Sequence, residues 1–291
     1  MTDFLQQMAN SSRERAELAA ATRFHSSDFD RNVIPLTLDG FDIIAEIKDR
    51  SPAEGALTDS GDVSASSLRR CRAAAYEAGG AAAISVLTEP SRFDGALEHL
   101  EEVVDAVPET PVMRKDFLVD PVQVMEARKA GASGVLLIAA MLSDAKLREM
   151  LDQAWEFGMF VLLEAFDEHD LQRASALLEQ PADRDRADAQ QLLIGINTRN
   201  LRTLEVDPDR LEKLAPGLPA AKCVAESGLH VADDAARVRQ WGYRLALVGT
   251  ALMRHADPAT LVKSMRAAGA AGLPAGCAAN RCGRFCTAER A

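Results

Sequence analysis

Eight short apolar segments recur along the chain, each followed by a loop and a helix-like stretch. Apolar runs that alternate with helices are typical of parallel strands whose outer face is covered. Eight such units in about 250 residues match a (β/α)8 TIM barrel in count and length. The segments are IIAEIK ending at Lys48, AAISVL at Leu87, PVMRK at Lys115, GVLLIA at Ala139, MFVLLEA at Ala165, LLIGIN at Asn197, KCVAES at Ser227 and LALVG at Gly249.

The stretches between these segments have the apolar spacing of helices that cover one sheet face. A further helix is predicted at the N-terminus, where residues 3–21 carry Phe4, Leu5, Met8 and Leu18 among polar residues. The interstrand segments with helical spacing include 64–77, 121–130, 143–155 and 232–241.

We expect a single (β/α)8 barrel domain over residues 1–268, including the extra N-terminal helix, and a disordered tail over 269–291. A doubly wound sheet is the main alternative fold, and it usually opens with a glycine-rich phosphate loop after the first strand. Here the first predicted strand leads into DRSPAEG at 49–55, which is not a GxGxxG sequence. The barrel is therefore favoured.

The composition excludes several classes of function. At 291 residues and 47% hydrophobic, the chain can bury a full core. Its formal net charge of −11 disfavours unspecific nucleic-acid binding, which needs clustered positive charge. Apolar runs fall short of the roughly 18 residues that cross a bilayer, and the polar start does not resemble a signal peptide. We expect a cytoplasmic protein that binds a small molecule, with no nucleic-acid or membrane partner.

The five cysteines do not predict a disulfide framework or a metal site. Cys71 lies in a helical stretch and Cys223 in an apolar strand, where cysteine acts as a small hydrophobe. Cys277, Cys282 and Cys286 lie in the predicted tail without the two tight cysteine pairs typical of zinc sites. We therefore expect no metal.

Lys115 is distinguished by its position at the end of the third predicted strand. Seven of the 33 lysine and arginine residues are lysines, so this chain assigns ordinary surface positive charge to arginine. Arginine cannot give up its proton at neutral pH, whereas a partly desolvated lysine can serve as a proton donor or as a Schiff-base amine. Lys48 ends the first predicted strand in the same way, and we expect both lysines to face one active site.

Charged residues recur at the carboxyl ends of the odd-numbered strands, where barrels of this kind carry catalytic groups. These strands deliver Lys48, Lys115, Glu164 and Glu226, and Glu46 shares a face with Lys48 because side chains two apart point the same way. Solvated charges at the barrel rim are the alternative for any one of them. Their recurrence favours an acid–base site, because unpaired buried ions are costly and such clusters are where pKa values are tuned.

Small residues and hydroxyl groups follow the last two predicted strands, in AESG at 225–228 and VGTA at 248–251. This fold commonly binds phosphate after strands 7 and 8, using backbone N–H groups and a helix start. Ser51, which precedes Pro52 in the first loop, could close on the phosphate from the other side. The predicted partner is a phosphorylated small molecule.

Seven short sequence motifs lie at the strand ends, and together they indicate a protein family far more specifically than any one motif does. They are IAEIKxxSP at 44–52, SVLTEP at 85–90, FxG at 93–95, RKDF at 114–117, LE at 163–164, GINxRNL at 195–201 and AESG at 225–228. In order and spacing they resemble the indole-3-glycerol phosphate synthase family. The resemblance implies ring closure and decarboxylation of 1-(2-carboxyphenylamino)-1-deoxyribulose 5-phosphate, with loss of water, to give indole-3-glycerol phosphate for tryptophan synthesis. It implies no redox step and no cofactor.

The resemblance also implies catalytic roles. Lys115 resembles the general acid that protonates the ribulose carbonyl or the leaving hydroxyl. Glu164 resembles the group that handles the proton in the dehydration step. Lys48 is similar to a second acid that also contacts the substrate carboxylate. The residues that would support or orient these groups are Glu46, Asn197 and Asp116.

Substrate contacts are implied at further positions. Arg199 would face the anthranilate carboxylate, and Glu226 would bind ribulose hydroxyls. An apolar slot for the aromatic ring could form from Phe93, Phe117, Leu136, Ile138 and Leu201, with Pro52 nearby; Leu136 and Ile138 fit ordinary barrel core equally well. The phosphate would be bound by Ser51, Ser227, Gly228, Gly249 and Thr250.

Two positions depart from the family pattern. Asp49 stands where the family often has a basic residue, and Asp94 where it often has asparagine or glutamine. Both are expected near the substrate mouth, so affinity for a doubly anionic substrate could be reduced.

Two other functions fit the sequence less well. Phosphoribosylanthranilate isomerase relies on a cysteine and an aspartate at strand ends, and no cysteine occupies such a place here. A non-catalytic or altered-specificity paralogue that binds a phosphorylated ligand would have lost a lysine or Glu164, and these are present. We expect a monomer or a weak homo-oligomer.

Overall fold

The computed structural model describes residues 4–52, 54–57, 64–201 and 205–272. Its main sheet is a closed barrel of eight parallel strands in which each strand pairs with the next along the chain and the last pairs with the first. The predicted (β/α)8 TIM barrel is confirmed. Its strands are β1 (Asp42–Ile47), β2 (Ala83–Leu87), β3 (Val112–Lys115), β4 (Gly134–Ile138), β5 (Phe160–Ala165), β6 (Leu192–Asn197), β7 (Lys222–Glu226) and β8 (Leu245–Val248).

Helices pack on the outside of the barrel, and the predicted N-terminal helix is present. They are α1 (Phe4–Ala20), α2 (Ala65–Ala78), α3 (Pro90–Phe93), α4 (Leu97–Ala106), α5 (Pro121–Lys129), α6 (Asp144–Glu156), α7 (Glu168–Leu177), α8 (Pro181–Asp188), α9 (Arg210–Leu214), α10 (Ala232–Gln240), α11 (Thr250–Arg254) and α12 (Pro258–Ala271), with 3-10 turns at Ser26–Phe29, Ala139–Met141 and Ala215–Gly217. Within the described ranges, no helix has the length and apolar character of a bilayer span.

Side-chain caps determine where several of these helices begin. Ser64, Asp120, Ser143 and Asp257 each accept a hydrogen bond from a backbone N–H in the first turn of α2, α5, α6 and α12. Such caps satisfy donors that have no partner inside the helix. Each of the four follows a loop, so the caps fix the points at which the chain turns back along the barrel.

The barrel interior is filled by its own side chains. Ile44, Met113, Leu162 and Leu193 belong to an apolar cluster inside the strands, and a second cluster lies between the strands and the helices. Because the lower interior is packed, polar side chains at the carboxyl ends of the strands are held at its upper edge.

Helix α1 packs against the loop that follows β3 and against α5. Gln123 of α5 donates a hydrogen bond from Nε2 to Ser12 Oγ at 2.9 Å. Arg15 forms two hydrogen bonds to Asp116, both of 2.8 Å. The extra helix is therefore joined to the residue that directly follows Lys115.

The loop after β1 contains a short hairpin that the sequence did not predict. Arg50–Ser51 pairs with Gly55–Ala56 in antiparallel orientation. Arg50 also lies 3.7 Å from Asp94, at the end of α3. The hairpin directs Ser51 towards the carboxyl ends of the barrel strands, and Ser51 is buried.

The predicted tail lies largely outside the described residues. Helix α12 continues to Ala271, past the boundary expected at 268. Residues 273–291, with Cys277, Cys282 and Cys286, are not described. The division into one barrel domain and a tail stays a prediction.

Candidate active site

A cavity of about 360 Å³ opens at the carboxyl ends of the barrel strands. Each site residue predicted from the sequence lines it, and so do Leu136 and Ile138, which also fit ordinary barrel core. The predicted residues that share this cavity are Glu46, Lys48, Ser51, Pro52, Phe93, Lys115, Phe117, Glu164, Asn197, Arg199, Leu201, Glu226, Ser227, Gly228, Gly249 and Thr250.

Lys115 lies between two buried carboxylates. Its Nζ is 3.4 Å from Glu164 Oε2 and 3.1 Å from Glu226 Oε2. Burial alone would lower the pKa of Lys115, but the carboxylates of Glu226, Glu164 and Glu46 outweigh burial and hold the pKa above its usual range. Lys115 is therefore an ammonium at neutral pH, which suits a proton donor and not a Schiff-base amine, because the latter must be neutral to attack.

Glu46 and Lys48 form a second ion pair on β1 and the residue that follows it. Lys48 Nζ lies 2.6 Å from Glu46 Oε1. Burial raises the pKa of Glu46, but Lys48 and Lys115 lower it by more than burial raises it. The net pKa lies below its usual value, so the group stays ionised. A Cβ atom on Gly249 would lie 2.2 Å from Glu46 Oε1 and 2.8 Å from Lys48 Nζ. A side chain at this position would therefore displace the pair from its present geometry.

Glu226 occupies the space above another glycine. A Cβ atom on Gly195 would lie 2.0 Å from Glu226 Oε1. That oxygen is buried and has no hydrogen-bond partner, although Oε2 contacts Lys115. Burial raises the pKa of Glu226; Lys115 opposes this rise and Glu164 adds to it, so the pKa lies well above its usual value.

Asn197 holds the Glu164 carboxylate in place. Its Nδ2 donates to Glu164 Oε1 at 3.1 Å. Its Oδ1 accepts from the Arg199 backbone N–H at 2.9 Å and from the Ser227 hydroxyl at 2.9 Å. Because two donors fix the oxygen side of the amide, the nitrogen side is turned towards Glu164.

Asp116 lies behind Lys115 in a buried hydrogen-bond network. Its carboxylate accepts bonds from Arg15, from Thr88 Oγ1 at 2.8 Å and from Arg114 Nη2 at 3.1 Å. Burial raises the pKa of Asp116, but Arg114, Arg15 and Thr88 lower it more strongly, to far below its usual value. The network fixes the backbone immediately after Lys115.

One side of the cavity is apolar and aromatic. The Phe117 ring lies 6.2 Å from the Phe93 ring and 6.0 Å from the Phe4 ring, the latter in an edge-on contact. Leu136, Ile138 and Leu201 continue this wall. The residues predicted to form a slot for a planar ring line this cavity, and Phe4 of α1 lines it as well.

The opposite side of the cavity carries small residues and hydroxyls. Ser227 and Gly228 have positive φ values of 67° and 75°, so the chain turns sharply after β7. Ser51, Gly249 and Thr250 line the same side. These positions match those at which barrels of this kind bind phosphate.

Sequence reasoning missed several residues that line the cavity. Phe4 was assigned to the N-terminal helix without a role at the site. The other missed residues, which lie in loops or on inward-facing strand positions, are Glu54, Leu87, Val206, Leu229, His230 and Leu247. The positions of His230 and Leu247 near strand ends were the available signal.

The two departures from the family pattern do not line the cavity. Asp49 pairs with Arg69 at 2.6 Å and lies 3.8 Å from His99. Asp94 has a positive φ of 53° and pairs with Arg50. Each carboxylate has an arginine partner, which reduces the repulsion expected for an anionic substrate.

A closed barrel with ammonium and carboxylate groups around one cavity at its carboxyl end defines a (β/α)8-barrel enzyme with an acid–base site. The family model for indole-3-glycerol phosphate synthase matches residues 5–265. The chain belongs to the indole-3-glycerol phosphate synthase family, whose members are carboxy-lyases of tryptophan biosynthesis.

Curated relatives agree with this assignment. The indole-3-glycerol phosphate synthase of a Nocardioides species is 44% identical over 257 residues, which cover 87% of this chain and 92% of the relative. That of Salinibacter ruber is 40% identical over 232 residues, or 79% of each chain. The relatives are matched over most of their length, so the likeness includes the whole barrel.

Solved structures share the fold at low sequence identity. The 3-hexulose-6-phosphate synthase of Salmonella typhimurium superposes with a TM-score of 0.57 at 15% identity, covering 80% of this chain and 100% of that chain. Thiamine phosphate pyrophosphorylase from Pyrococcus furiosus gives 0.52 at 16% identity, covering 80% of this chain and 98% of that chain. These likenesses bear on the barrel fold alone.

Proposed function

We propose that the cavity converts 1-(2-carboxyphenylamino)-1-deoxyribulose 5-phosphate to indole-3-glycerol phosphate, carbon dioxide and water without a cofactor. The observation that carries this proposal is the Lys115 ammonium held between Glu164 and Glu226 beside an aromatic slot. Such a site offers a proton donor and carboxylate bases in one pocket.

Lys115 is the proposed general acid for ring closure. As the carbon of the anthranilate ring attacks the ribulose carbonyl, a C–C bond forms and the carbonyl oxygen takes a proton from the Lys115 ammonium. Loss of the carboxylate as carbon dioxide then breaks a C–C bond. The electron pair of that bond stays in the ring and restores its aromatic system. The carboxylates around Lys115 stabilise the ammonium before the reaction and supply a route for its reprotonation.

Dehydration is assigned to Lys48 and Glu164. The Lys48 ammonium donates a proton to the departing hydroxyl, while Glu164 removes a proton so that the ring double bond can form. Glu46 holds Lys48 at 2.6 Å and Asn197 holds Glu164 at 3.1 Å, so both groups keep their orientation. This division needs one acid and one base on separate strands, which is the arrangement of β1 and β5.

Binding contacts complete the proposal. Arg199 faces the anthranilate carboxylate, to which Lys48 also contributes, and Glu226 contacts the ribulose hydroxyls. The aromatic ring lies among the apolar residues Phe93, Phe117 and Leu201, with Pro52 at the loop edge. The phosphate is bound by Ser51, Ser227, Gly228, Gly249 and Thr250.

The test supplies the purified protein with this substrate and follows the fluorescence of the indole product. Formation of indole-3-glycerol phosphate without an added metal or nucleotide supports the proposal. Binding without product formation would favour a non-catalytic paralogue. A cytoplasmic location and a monomeric or weakly oligomeric state are parts of the same proposal, which fractionation and light scattering would test.

A further inference from the structure

We propose that Glu164 and Glu226 share one proton in the substrate-free enzyme and that Glu226 holds it, an assignment that rests on the proposed function. Glu226 is then a neutral acid that donates a hydrogen bond to the ionised Glu164, and its second oxygen is free to accept one from a substrate hydroxyl.

The two carboxyl groups lie around a single ammonium. Both Oε2 atoms contact Lys115 Nζ, at 3.4 and 3.1 Å. Glu164 also acts on Glu226 as a close neighbour of like charge. Like charges this close in a buried site cannot both ionise freely, so one of the two groups keeps its proton.

The two carboxyl groups are unequally hydrogen-bonded. Glu164 receives bonds at both oxygens, from Asn197 at Oε1 and from Lys115 at Oε2. Glu226 has Lys115 at Oε2, but its buried Oε1 has no donor. A buried oxygen without a hydrogen-bond donor costs free energy when the carboxyl group is ionised. The same oxygen costs little when the group is a neutral acid. The proton therefore belongs to Glu226.

Among the described residues, the charges on the surrounding strands offer no further compensation. From β1 and the residue after it, Glu46 and Lys48 form their own pair at 2.6 Å. From β6, Asn197 is committed to Glu164 and Gly195 contributes no side chain. From β8, the register neighbour of Glu226 is the apolar Leu247. Lys115 is thus the one cation among the described residues that contacts both carboxylates.

Burial and the neighbouring charges, taken together, also favour the neutral form of Glu226. Burial and the neighbouring Glu164 raise its pKa by more than Lys115 lowers it. With Glu226 neutral, the inner cluster holds two ammonium groups and two carboxylates. It therefore has no net charge when it receives a substrate that carries a phosphate and a carboxylate. Ionising Glu226 would add a negative charge and weaken binding.

Carboxyl-carbon NMR tests the assignment directly. Protein labelled with ¹³C at the glutamate side-chain carboxyl is measured at pH 7, and each resonance is assigned by its loss in Glu226→Gln, Glu164→Gln or Glu46→Gln. We expect the Glu226 resonance at the position of a protonated acid and those of Glu164 and Glu46 at the positions of carboxylates. An ionised Glu226, or a protonated Glu164, overturns the proposal. If Glu226→Gln does not fold, Glu226→Asp provides the same assignment.

Product binding supplies a second readout. Above the pKa of Glu226, wild-type affinity for indole-3-glycerol phosphate should fall by up to about tenfold per pH unit, the limit for one linked proton. Glu226→Gln imitates the neutral acid, so its affinity should stay constant across the same range. An equal decline in both proteins contradicts the proposal. Turnover of the substrate by wild-type protein is scored separately, so an inactive protein with a protonated Glu226 would refute the proposed function alone.

Discussion

Arg15 and Asp116 lie 101 residues apart in the sequence and are joined by two parallel hydrogen bonds of 2.8 Å. Arg15 belongs to the helix that precedes the barrel, and Asp116 follows the proposed general acid. The guanidinium fork matches the carboxylate geometry, which makes this contact stronger than a single ion pair. The N-terminal helix is therefore part of the structure that holds Lys115.

Replacement of Arg15 should destabilise the protein measurably. We expect Arg15→Ala to lower the free energy of unfolding by about 2 kcal/mol, because a buried carboxylate loses two charge-assisted bonds while Arg114 and Thr88 remain. Urea unfolding measures this change. Arg13→Ala is the matched control on the same helix, since Arg13 bonds to Asn10 at the surface. It should change stability by less than about 0.5 kcal/mol; equal losses in both variants would show that the ion pair contributes nothing.

Acid stability should depend on Asp116. Its folded-state pKa lies below the unfolded value near 3.9, so its stabilising effect is present above that value and is lost as the pH falls through it towards the folded pKa. Asp116→Asn should therefore be less stable than wild type at pH 7 and lose less stability between about pH 5 and about pH 3. Asp105→Asn is the control, because the Asp105 side chain is 49% exposed. A slope for Asp116→Asn equal to that of wild type would contradict the assignment.

Phe4 should contribute to substrate binding and not to chemistry. Its ring contacts Phe117 and lines the apolar slot, so Phe4→Ala removes contacts made equally by substrate and transition state. We expect KM to rise about tenfold, the equivalent of one lost aromatic contact, with kcat changed less than about twofold. Steady-state kinetics decide this. Leu18→Ala, at a side chain 76% exposed on the same helix, should leave both constants unchanged. A fall in kcat alone would place Phe4 in a different role.

Gly249 should be required for activity because of its position beside Glu46 and Lys48. An added methyl would lie 2.2 Å from Glu46 Oε1 and must displace the pair. We expect Gly249→Ala to lower kcat/KM about 100-fold, the scale of a misplacement of about 1 Å. Gly217→Ala is the control, since a Cβ atom there has nothing within 4 Å. Unchanged kcat/KM in Gly249→Ala would mean that the Glu46–Lys48 contact is dispensable.

The barrel and the strand-end residues were predictable because they follow from local pattern. An apolar strand followed by a helix repeats along the chain, and parallel strands bring their carboxyl ends to one edge. Once the strands were placed, their order predicted that four charged side chains lie close together, namely Lys48, Lys115, Glu164 and Glu226. The shared face of Glu46 and Lys48 followed from their spacing of two residues.

Other features could not be predicted because they depend on contacts between distant segments. The approach of Phe4 and Arg15 to the site depends on how α1 docks, which its amphipathic pattern does not specify. The pairing of Asp49 with Arg69 depends on the packing of α2 against the first loop. The upward shift in the pKa of Lys115 depends on acidic side chains from three separate strands around one ammonium, a balance that no single strand reveals.

The measurement that tests the central claim most directly is the turnover of Lys115→Met, compared with wild type and with Lys146→Met. Lys146 lies at the surface near the start of α6, where it pairs with Glu149 at 2.7 Å. Loss of the general acid should lower kcat by about 1,000-fold while circular dichroism shows an intact fold, and Lys146→Met should turn over substrate like wild type. Wild-type turnover in Lys115→Met would contradict the account.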